Sequence, residues 1–465
     1  MQPKKIHFVG VGGVAMGTFA VALSEYGHEV TGSDNALYEP MKGVLASAKV
    51  TLFEGFKAEN LQRVHPDLVV IGNVVRKDNP EAQAWIRSGT KFLSLAEAVR
   101  VFLIQDKRSL VCAGTHGKTT TSSWTSFLLQ ELEMNPSYLI GGVPLDLDRG
   151  CKLTDSDLFV CEGDEYDSAF FDKGAKFLHY YPHFLLLLNI EFDHADIYKD
   201  LKHVQASFEK LVALLPGDGL CVARYEDAVV METIAGAICP IQTFGSSPGA
   251  MWRLGQRTES ENGYEFELIY KNRSVGNFKS PMFGEHNLLN LTAGIVAAVN
   301  LGASIEKIRP IVEKFRGARR RQEVLMKDPI VLVDDFAHHP TEVKATLKAV
   351  RQRYPQGKLW ALFEPRSATA RRSVHQDEYA AAFDSADEIL VSTPYRQGEL
   401  KEGEKLSTDV LVDSLVTRGK KAASLTKSQE IVEKVVAGRT GRDIVVVMSN
   451  GEFDKIQEKL IKAFS

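Results

Sequence analysis

The chain lacks the features of a membrane, secreted or nucleic-acid-binding protein. It has 56 Lys and Arg against 60 Asp and Glu, and the resulting net charge of −4 provides no basic excess for a polyanion. No segment approaches about 18 uninterrupted apolar residues, and no apolar leader precedes the first predicted strand. We therefore expect a cytoplasmic protein that binds neither nucleic acid nor membrane.

The chain is also poor in cysteine, with five among 465 residues. These cysteines show neither C-x-x-C spacing nor an even count, which argues against a disulfide framework or a zinc site. Cys112 and Cys161 lie in apolar runs, so we expect buried and inert thiols. Tandem repeats and low-complexity segments are absent from the sequence as well, which excludes a solenoid. The length predicts several globular domains.

The most informative segment is Ser109–Thr121, where an apolar strand leads into a glycine loop ending in Gly-Lys-Thr and then into a helix. Backbone N–H groups at such a helix start bind polyphosphate, the lysine adds positive charge, and the threonine hydroxyl ligates Mg²⁺. The spacing departs from G-x-x-x-x-G-K-[ST], because the first glycine would fall at Cys112. The candidate nucleotide-binding residues are Gly114, Thr115, His116, Gly117, Lys118, Thr119 and Thr120.

A different glycine turn, Gly10–Ala15, follows the first predicted strand and matches G-x-G-x-x-[G/A]. An acidic group after the next strand could reach a ribose hydroxyl. From this region alone, an NAD site and a UDP-sugar site are equally open. The candidate residues are Gly10, Gly12, Gly13, Ser33 and Asp34.

Apolar runs alternate with helical patterns throughout the chain, which predicts an α/β protein with parallel sheets. We divide it into residues 1–105, a Rossmann-like unit, residues 106–321, which contain the phosphate loop, and residues 322–465, a second Rossmann-like unit. The strands of the third unit end in polar residues, which predicts one ligand-binding rim. Arg366, Arg396 and Asn450 lie on that rim.

Two acidic clusters, Glu162–Asp167 and Asn189–His194, follow predicted strands of the second unit. Hard oxygen ligands opposite a phosphate loop are typical of a Mg²⁺ site, and Glu162 is the leading candidate. A solvated acidic turn is the alternative for the first cluster. His194 alone would more often be a core or surface histidine.

A predicted helix from Asn287 to Leu301 starts beside side chains able to hydrogen-bond a purine, namely His286, Asn287 and Asn290. N-capping of the helix by Asn287 is equally open. Arg321 lies at the expected hinge, where it could neutralise a γ-phosphate when the domains close. Asp335 ends the first strand of the third unit, ahead of His338 and His339, which could either cap the turn or touch substrate.

In this order the motifs resemble the Mur ligase family of ATP-dependent amide ligases, over essentially the whole chain. The resemblance implies a three-domain architecture with a central P-loop ATPase domain, and it implies ATP and Mg²⁺. It assigns catalysis to Lys118, Glu162 and His194, with Thr119, Glu162 and His194 holding metal. It also places adenine on His286, Asn287 and Asn290 and the nucleotide ribose on Asp335.

Within the family, Glu162–Asp167, Phe336–Pro340 and Phe363–Ser367 resemble members that add the intact tripeptide L-Ala-γ-D-Glu-meso-diaminopimelate to UDP-N-acetylmuramate in peptidoglycan recycling. The alternative within the family is addition of L-alanine. Glu452 and Phe453 stand where the family usually has two glycines. Outside the family, the alternatives are an NAD-dependent dehydrogenase and a non-catalytic P-loop switch protein.

Overall fold

The computed structural model describes residues 2–35, 37, 41–260, 262–401 and 403–465. The N-terminal strands form a parallel sheet in the order β3-β2-β1-β4-β5. Its strands are β1 (Lys5–Val9), β2 (Glu29–Asp34), β3 (Val50–Glu54), β4 (Leu68–Ile71) and β5 (Phe92–Ser94). The helices of this unit are α1 (Val14–Glu25), α2 (Met41–Ala46), α3 (Pro80–Arg87) and α4 (Leu95–Val99). Val9 pairs with Ser33 and Ile71, so the carboxyl ends of three strands meet at the glycine turn.

The central unit is built on a ten-stranded sheet in the order β17-β16-β15-β14-β13-β12-β6-β9-β7-β8, with β10 and β11 forming a separate hairpin. Its first strands are β6 (Arg108–Ala113), β7 (Ser137–Leu139), β8 (Cys151–Lys152), β9 (Leu158–Gly163), β10 (Asp167–Ala169) and β11 (Asp172–Ala175). The later strands are β12 (Pro182–Leu187), β13 (Leu220–Arg224), β14 (Ile241–Gly245), β15 (Trp252–Ser260), β16 (Gly263–Tyr270) and β17 (Arg273–Ser280). The helices are α5 (Lys118–Glu131), α6 (Leu201–Val212), α7 (Ala228–Thr233), α8 (Glu285–Asn300) and α9 (Ile305–Val312).

The C-terminal unit has a six-stranded sheet in the order β18-β19-β23-β20-β21-β22. The strands are β18 (Glu323–Met326), β19 (Val331–Asp335), β20 (Leu359–Phe363), β21 (Glu388–Ser392), β22 (Lys421–Leu425) and β23 (Ile444–Met448). The helices are α10 (Pro340–Arg353), α11 (Gln376–Ala382), α12 (Thr408–Thr417), α13 (Ser428–Gly438) and α14 (Ile456–Phe464). All strands except β18 run parallel, so their polar carboxyl ends share one edge.

Cores on both faces of the sheets account for the apolar runs seen in the sequence. Phe8 of β1 packs against Phe19 of α1, and the indole of Trp124 on α5 donates to the carbonyl of Leu291 on α8. The five cysteines are buried and free, as predicted. Among the described residues, every helix is too short or too polar to span a bilayer. The predicted α/β class with parallel sheets is confirmed.

Candidate active site

The phosphate loop connects β6 to α5 and contains two glycines with positive φ, Gly114 at 140° and Gly117 at 84°. A Cβ on Gly117 would lie 2.8 Å from the Asn290 side-chain oxygen. Glycine therefore serves both the backbone turn and the close approach of α8. The loop and Asn290, predicted separately from the sequence, lie in direct contact.

Lys118 points back over this loop. Its Nζ donates to the carbonyl of Gly114 at 2.7 Å and lies 2.9 Å from Glu165 Oε2. Burial alone lowers the pKa of Lys118, but the charges of Glu165, Asp164 and Glu162 and the hydrogen bond to Glu165 together outweigh it and raise the pKa above its ordinary value. Lys118 is thus a permanent cation at the start of a helix, where a phosphate would bind.

Thr119 and Glu162 face one another across the ends of α5 and β9. The Thr119 hydroxyl donates to Glu162 Oε2 at 3.2 Å, and the Gly141 N–H donates to Oε1 at 2.7 Å. Burial raises the pKa of Glu162, and the Gly141 N–H and the charge of Arg321 oppose this only in part. A hydroxyl beside a buried, incompletely compensated carboxylate provides the hard oxygen ligands that suit Mg²⁺.

His194 belongs to a neighbouring cluster. Its Nε2 lies 3.2 Å from Glu165 Oε1, and the ligand atoms of His194, Glu165 and Asp164 all fall within 4.8 Å of one another. Burial lowers the pKa of His194, but the hydrogen bond and charge of Glu165 dominate and raise it to about 9. Glu162, which the resemblance pairs with Thr119 on a different metal, is not a member of this three-residue cluster.

A cavity of about 500 Å³ separates the central and C-terminal units beside the loop. The sequence-predicted residues that line it come from both units. They are His116, Gly117, Thr120, His286, Asn287, Asn290, Arg321 and Asp335. The structure therefore gathers the predicted adenine, ribose and phosphate residues around one volume that suits a small-molecule ligand.

The start of α8 contradicts one of the two interpretations of Asn287 made from the sequence, namely that it caps the helix. The helix begins at Glu285 with Gly284 as its N-cap, and Asn287 lies inside the first turn, where it donates to the Phe283 carbonyl at 2.8 Å. The expectation that Asn287 caps the helix is therefore wrong, because Gly284, with φ of 89°, occupies the N-cap position three residues earlier. Burial lowers the pKa of His286 to about 4, so its imidazole is neutral with one donor and one acceptor.

The neighbouring arginines of the expected hinge have different partners. Arg321 faces the cavity, with Nη2 3.5 Å from the Thr119 hydroxyl. Arg320 instead donates to the carbonyls of Ser449 and Gly451 in the C-terminal unit, at 2.6 and 2.8 Å. Arg321 is therefore the one of these two whose side chain reaches the phosphate loop.

Asp335 is buried at the end of β19. It accepts from the backbone N–H groups of Gln322 and Ala337, both at 2.7 Å. Burial raises its pKa to about 6, with the nearby Arg321 charge opposing the shift. The carboxylate is thus held firmly at the cavity wall, where ribose hydroxyls could add hydrogen bonds to it.

An interdomain network of histidines and carboxylates closes the same cavity. His116 Nε2 lies 3.0 Å from Glu191 and its Nδ1 lies 3.4 Å from Glu342, while His339 Nδ1 lies 3.3 Å from Glu191. His339 also caps α10, as one of the sequence alternatives held. Glu191 belongs to the predicted acidic cluster Asn189–His194, but the sequence does not reveal that it and Glu342 pair with these histidines, because the docking of separate units brings them together.

The glycine turn of the first unit is bound to the end of β2. The Gly10 N–H donates to the Ser33 carbonyl at 2.9 Å, and the Gly12 N–H donates to Asp34 Oδ2 at 2.8 Å. A Cβ on Gly12 would lie 2.9 Å from that oxygen, so a larger residue would push the Asp34 carboxylate away from this hydrogen bond. Gly13 is the N-cap of α1 and leaves this helix start without a side-chain cap.

Two of the three predicted peptide-binding residues lie near one aromatic ring. The guanidinium of Arg366 lies 4.0 Å from the Tyr395 ring centroid, and that of Arg396 lies 5.2 Å from it. Arg366 also pairs with Glu364 at 3.5 Å. Asn450 Oδ1 is buried without a hydrogen-bond partner among the described residues. This edge of the C-terminal unit therefore offers cationic and polar groups to a ligand.

Comparison with known families accounts for these features. Residues 5–107 match the Mur ligase family catalytic domain, residues 112–298 the Mur ligase middle domain, and residues 319–451 the Mur ligase glutamate ligase domain. The chain belongs to the Mur ligase family. As a member it is an ATP-dependent ligase that forms amide bonds.

Two curated relatives and one solved structure match this Mur ligase along its length. The UDP-N-acetylmuramate–L-alanyl-γ-D-glutamyl-meso-2,6-diaminoheptandioate ligase of Escherichia coli K12 is 35% identical, covering 98% of this chain and 97% of its own. The UDP-N-acetylmuramate–L-alanine ligase of Caldanaerobacter subterraneus is 32% identical, and the match covers 99% of this chain and 97% of that ligase. The murein peptide ligase of Psychrobacter arcticus has a TM-score of 0.74 at 30% identity, covering 99% and 98%.

Proposed function

We propose that this Mur ligase joins the tripeptide L-Ala-γ-D-Glu-meso-diaminopimelate to UDP-N-acetylmuramate with ATP, through an acyl phosphate. The observation that carries the proposal is the cavity between the two units, which unites a phosphate loop, purine-binding side chains and Arg321. The tripeptide is favoured as acceptor by the E. coli relative and the P. arcticus structure, together with Glu162–Asp167 and Phe363–Ser367.

We assign the phosphates of ATP to the loop from Gly114 to Thr120. Lys118 lies at the phosphate loop and Arg321 lies at the boundary with the C-terminal unit, 3.5 Å from the Thr119 hydroxyl, so both charges can meet the γ-phosphoryl group. Positive charges placed where negative charge spreads in the transition state are the main source of rate in phosphoryl transfer. His286, Asn287 and Asn290 bind adenine, and Asp335 binds the ribose.

We assign a Mg²⁺ ion to Thr119 and Glu162, whose oxygens lie 3.2 Å apart. A second cation would be held by His194, with Glu165 and Asp164 beside it. When bound, these ions neutralise phosphate oxygens and polarise the carboxylate that is being activated. The protein orients that carboxylate, keeps Lys118 charged and brings the two units together.

UDP-N-acetylmuramate is assigned to the first unit, at Gly10, Gly12, Gly13, Ser33 and Asp34. The tripeptide is assigned to the edge of the third unit that holds Arg366, Arg396 and Asn450. Planar guanidinium groups pair well with carboxylates, and the tripeptide has several of them whereas L-alanine has one. The same division gives residues 1–105 to the UDP-sugar, 106–321 to ATP and 322–465 to the peptide.

Addition of L-alanine is the second candidate, and the C. subterraneus relative favours it. A phosphate-release assay tests the proposal against the other reaction classes. ATP with UDP-N-acetylmuramate and tripeptide should release phosphate, whereas ATP alone should be hydrolysed slowly and NAD(H) should have no effect. Phosphate release that does not depend on UDP-N-acetylmuramate would contradict the proposed function.

A further inference from the structure

A separate cavity of about 230 Å³ opens at the carboxyl edge of the C-terminal sheet. We name it the terminal pocket and define it by Glu364 after β20, Thr393 after β21, Lys427 after β22, and Phe453 and Asp454 after β23. Its walls thus come from the ends of four parallel strands. In open α/β sheets this edge is where ligands bind.

The terminal pocket is lined by one basic residue, Lys427, and two acidic residues, Glu364 and Asp454. Glu364 is already engaged by the Ser449 hydroxyl and by Arg366. In the described part of the chain, no ion pair or hydrogen bond engages the ammonium of Lys427. Asp454 accepts from the Ser428 hydroxyl and from Lys459, both at 2.6 Å and both through Oδ2. Its Oδ1 therefore retains its capacity to accept hydrogen bonds. A ligand group that carries both an amine and a carboxylate would complement this pair.

The backbone beside the pocket is unusual. Phe453, Asp454 and Lys455 follow one another with φ of 47°, 49° and 54°, a region that disfavours side chains other than those of Gly, Asn and Asp. The Phe453 side chain is nevertheless buried in the core, 3% exposed. Successive residues in this conformation fix the ring as the apolar wall and set Asp454 beside it. Such outliers persist where the surrounding structure holds them, commonly at ligand sites.

The terminal pocket adjoins the proposed peptide site through Glu364, which lines the pocket and pairs with Arg366. The same loop reaches Thr369, whose hydroxyl accepts from the Ala195 N–H at 3.1 Å, next to His194. The five residue steps from Glu364 to Thr369 span at most about 18 Å. A tripeptide backbone spans at most about 11 Å, and its γ-linkage and long third side chain extend that reach.

We propose that the terminal pocket binds the distal end of the third residue of the tripeptide acceptor, which carries an ammonium and a carboxylate on one carbon. Lys427 pairs with that carboxylate and Asp454 Oδ1 accepts from that ammonium. Phe453 packs against the methylene chain that leads to them. This inference rests on the proposed function and adds a determinant of acceptor choice to it.

Three acceptors test each charge separately. One is the tripeptide itself, the second carries L-lysine as third residue and lacks the distal carboxylate, and the third carries 2-aminoheptanedioate and lacks the distal amine. Lys427→Met should lower kcat/KM about tenfold, or about 1.4 kcal/mol, only for the two acceptors that have the distal carboxylate, the tripeptide itself and the 2-aminoheptanedioate peptide. Asp454→Asn keeps a side chain that tolerates positive φ. It should lower kcat/KM only for the two acceptors that have the distal amine, the tripeptide itself and the L-lysine peptide.

Lys434→Met is the matched control, because Lys434 is an exposed residue of α13, the helix that Lys427 precedes. Its preferences should equal those of the unmodified enzyme. Lys427→Glu gives a second test and should turn the enzyme towards the lysine-containing acceptor. If the unmodified enzyme uses none of the three acceptors, the proposed function fails. If it uses them and all the Lys427 and Asp454 variants keep its preferences, the pocket assignment alone is overturned.

Discussion

Lys118 and Glu165 form a buried ion pair, with 2.9 Å between Nζ and Oε2. Glu165 is 1% exposed and also lies 3.2 Å from His194 Nε2. One carboxylate thus contacts both the ammonium that we assign to the phosphate and the imidazole that we assign to the second metal. Glu165 therefore fixes their positions before either meets a ligand, which is a property that neither motif reveals alone.

Lys118→Ala should abolish ligation and leave binding of UDP-N-acetylmuramate nearly intact. The loss arises because the charge on the γ-phosphoryl group is no longer stabilised. We expect the rate of ligation to fall by a factor of at least about 10²–10³. Calorimetry with each nucleotide separates the two effects. Lys173→Ala, an exposed lysine paired with Asp167, is the control. Equal loss of both binding events would show that the domain roles are wrong.

Glu162→Gln and His194→Ala should each raise the Mg²⁺ concentration that half-saturates activity. Each change removes a ligand or its charge from a proposed cation site. Titration of initial rates with Mg²⁺ at saturating ATP measures the effect. Asp157→Asn alters an exposed carboxylate paired with Arg108 and should leave the titration unchanged. Unaltered Mg²⁺ dependence in both site variants would refute the metal assignment.

Arg321→Ala should lower kcat by about 10²–10³, because the guanidinium faces the phosphate loop from the boundary with the C-terminal unit. Arg319→Ala removes a neighbouring guanidinium that is 58% exposed and paired with Glu323, so it should change kcat only slightly. Single-turnover rates for both variants provide the comparison. Equal effects of the two substitutions would argue for general electrostatics instead of a specific contact.

Asp335 should make stability depend on pH, because burial raises its pKa to about 6 in the folded protein. The unfolded value is about 3.9, so the penalty of burying the ionised group is absent below about pH 4, grows to pH 6 and is complete above. Asp335→Asn removes that penalty, which is at most about 3 kcal/mol. Relative to the unmodified protein, the variant should therefore gain stability between pH 4 and pH 7.5.

Chemical unfolding of both proteins at the two pH values measures this gain. The absolute stability of Asp335→Asn is not diagnostic, since the amide also changes the hydrogen bonds from Gln322 and Ala337. The difference between the two pH values is diagnostic. A stability difference that is the same at pH 4 and pH 7.5 would contradict the raised pKa of Asp335.

Arg366→Ala should narrow the preference for tripeptide over L-alanine, chiefly by weakening the tripeptide. The guanidinium lies over Tyr395 on the edge that we assign to the peptide. Competition kinetics with both amines measures the ratio of kcat/KM values. Arg418→Ala, which removes an exposed pair with Asp384, is the control. If Arg366→Ala leaves this ratio unchanged, Arg366 does not bind the tripeptide and only supports its loop.

The phosphate loop and the central strands could be predicted because apolar runs and glycine spacing are local signals. The apolar runs at residues 5–9 and 359–363 are signals of this kind, and they form β1 and β20. The strand Lys421–Leu425 was not predicted, since it is half exposed at the sheet edge and carries no apolar run. Short edge strands are specified mainly by their neighbours.

The parts of the site that depend on residues far apart in the chain are harder to predict from the sequence. Glu165 lies in a predicted acidic cluster, but nothing in the sequence distinguishes it from Asp164 or Glu162. Its role emerges from the folding of Lys118 and His194 around it. Lys427 was missed for a similar reason, because a lone lysine gains meaning only when four strand ends converge beside it.

The most direct test of the central claim is mass spectrometry of the products formed from ATP, Mg²⁺ and UDP-N-acetylmuramate with equal concentrations of tripeptide and L-alanine. We predict that the UDP-N-acetylmuramoyl tripeptide dominates, with one phosphate released for each product molecule. UDP-N-acetylmuramoyl-L-alanine as the main product would contradict the account and place the enzyme among the alanine-adding members of its family.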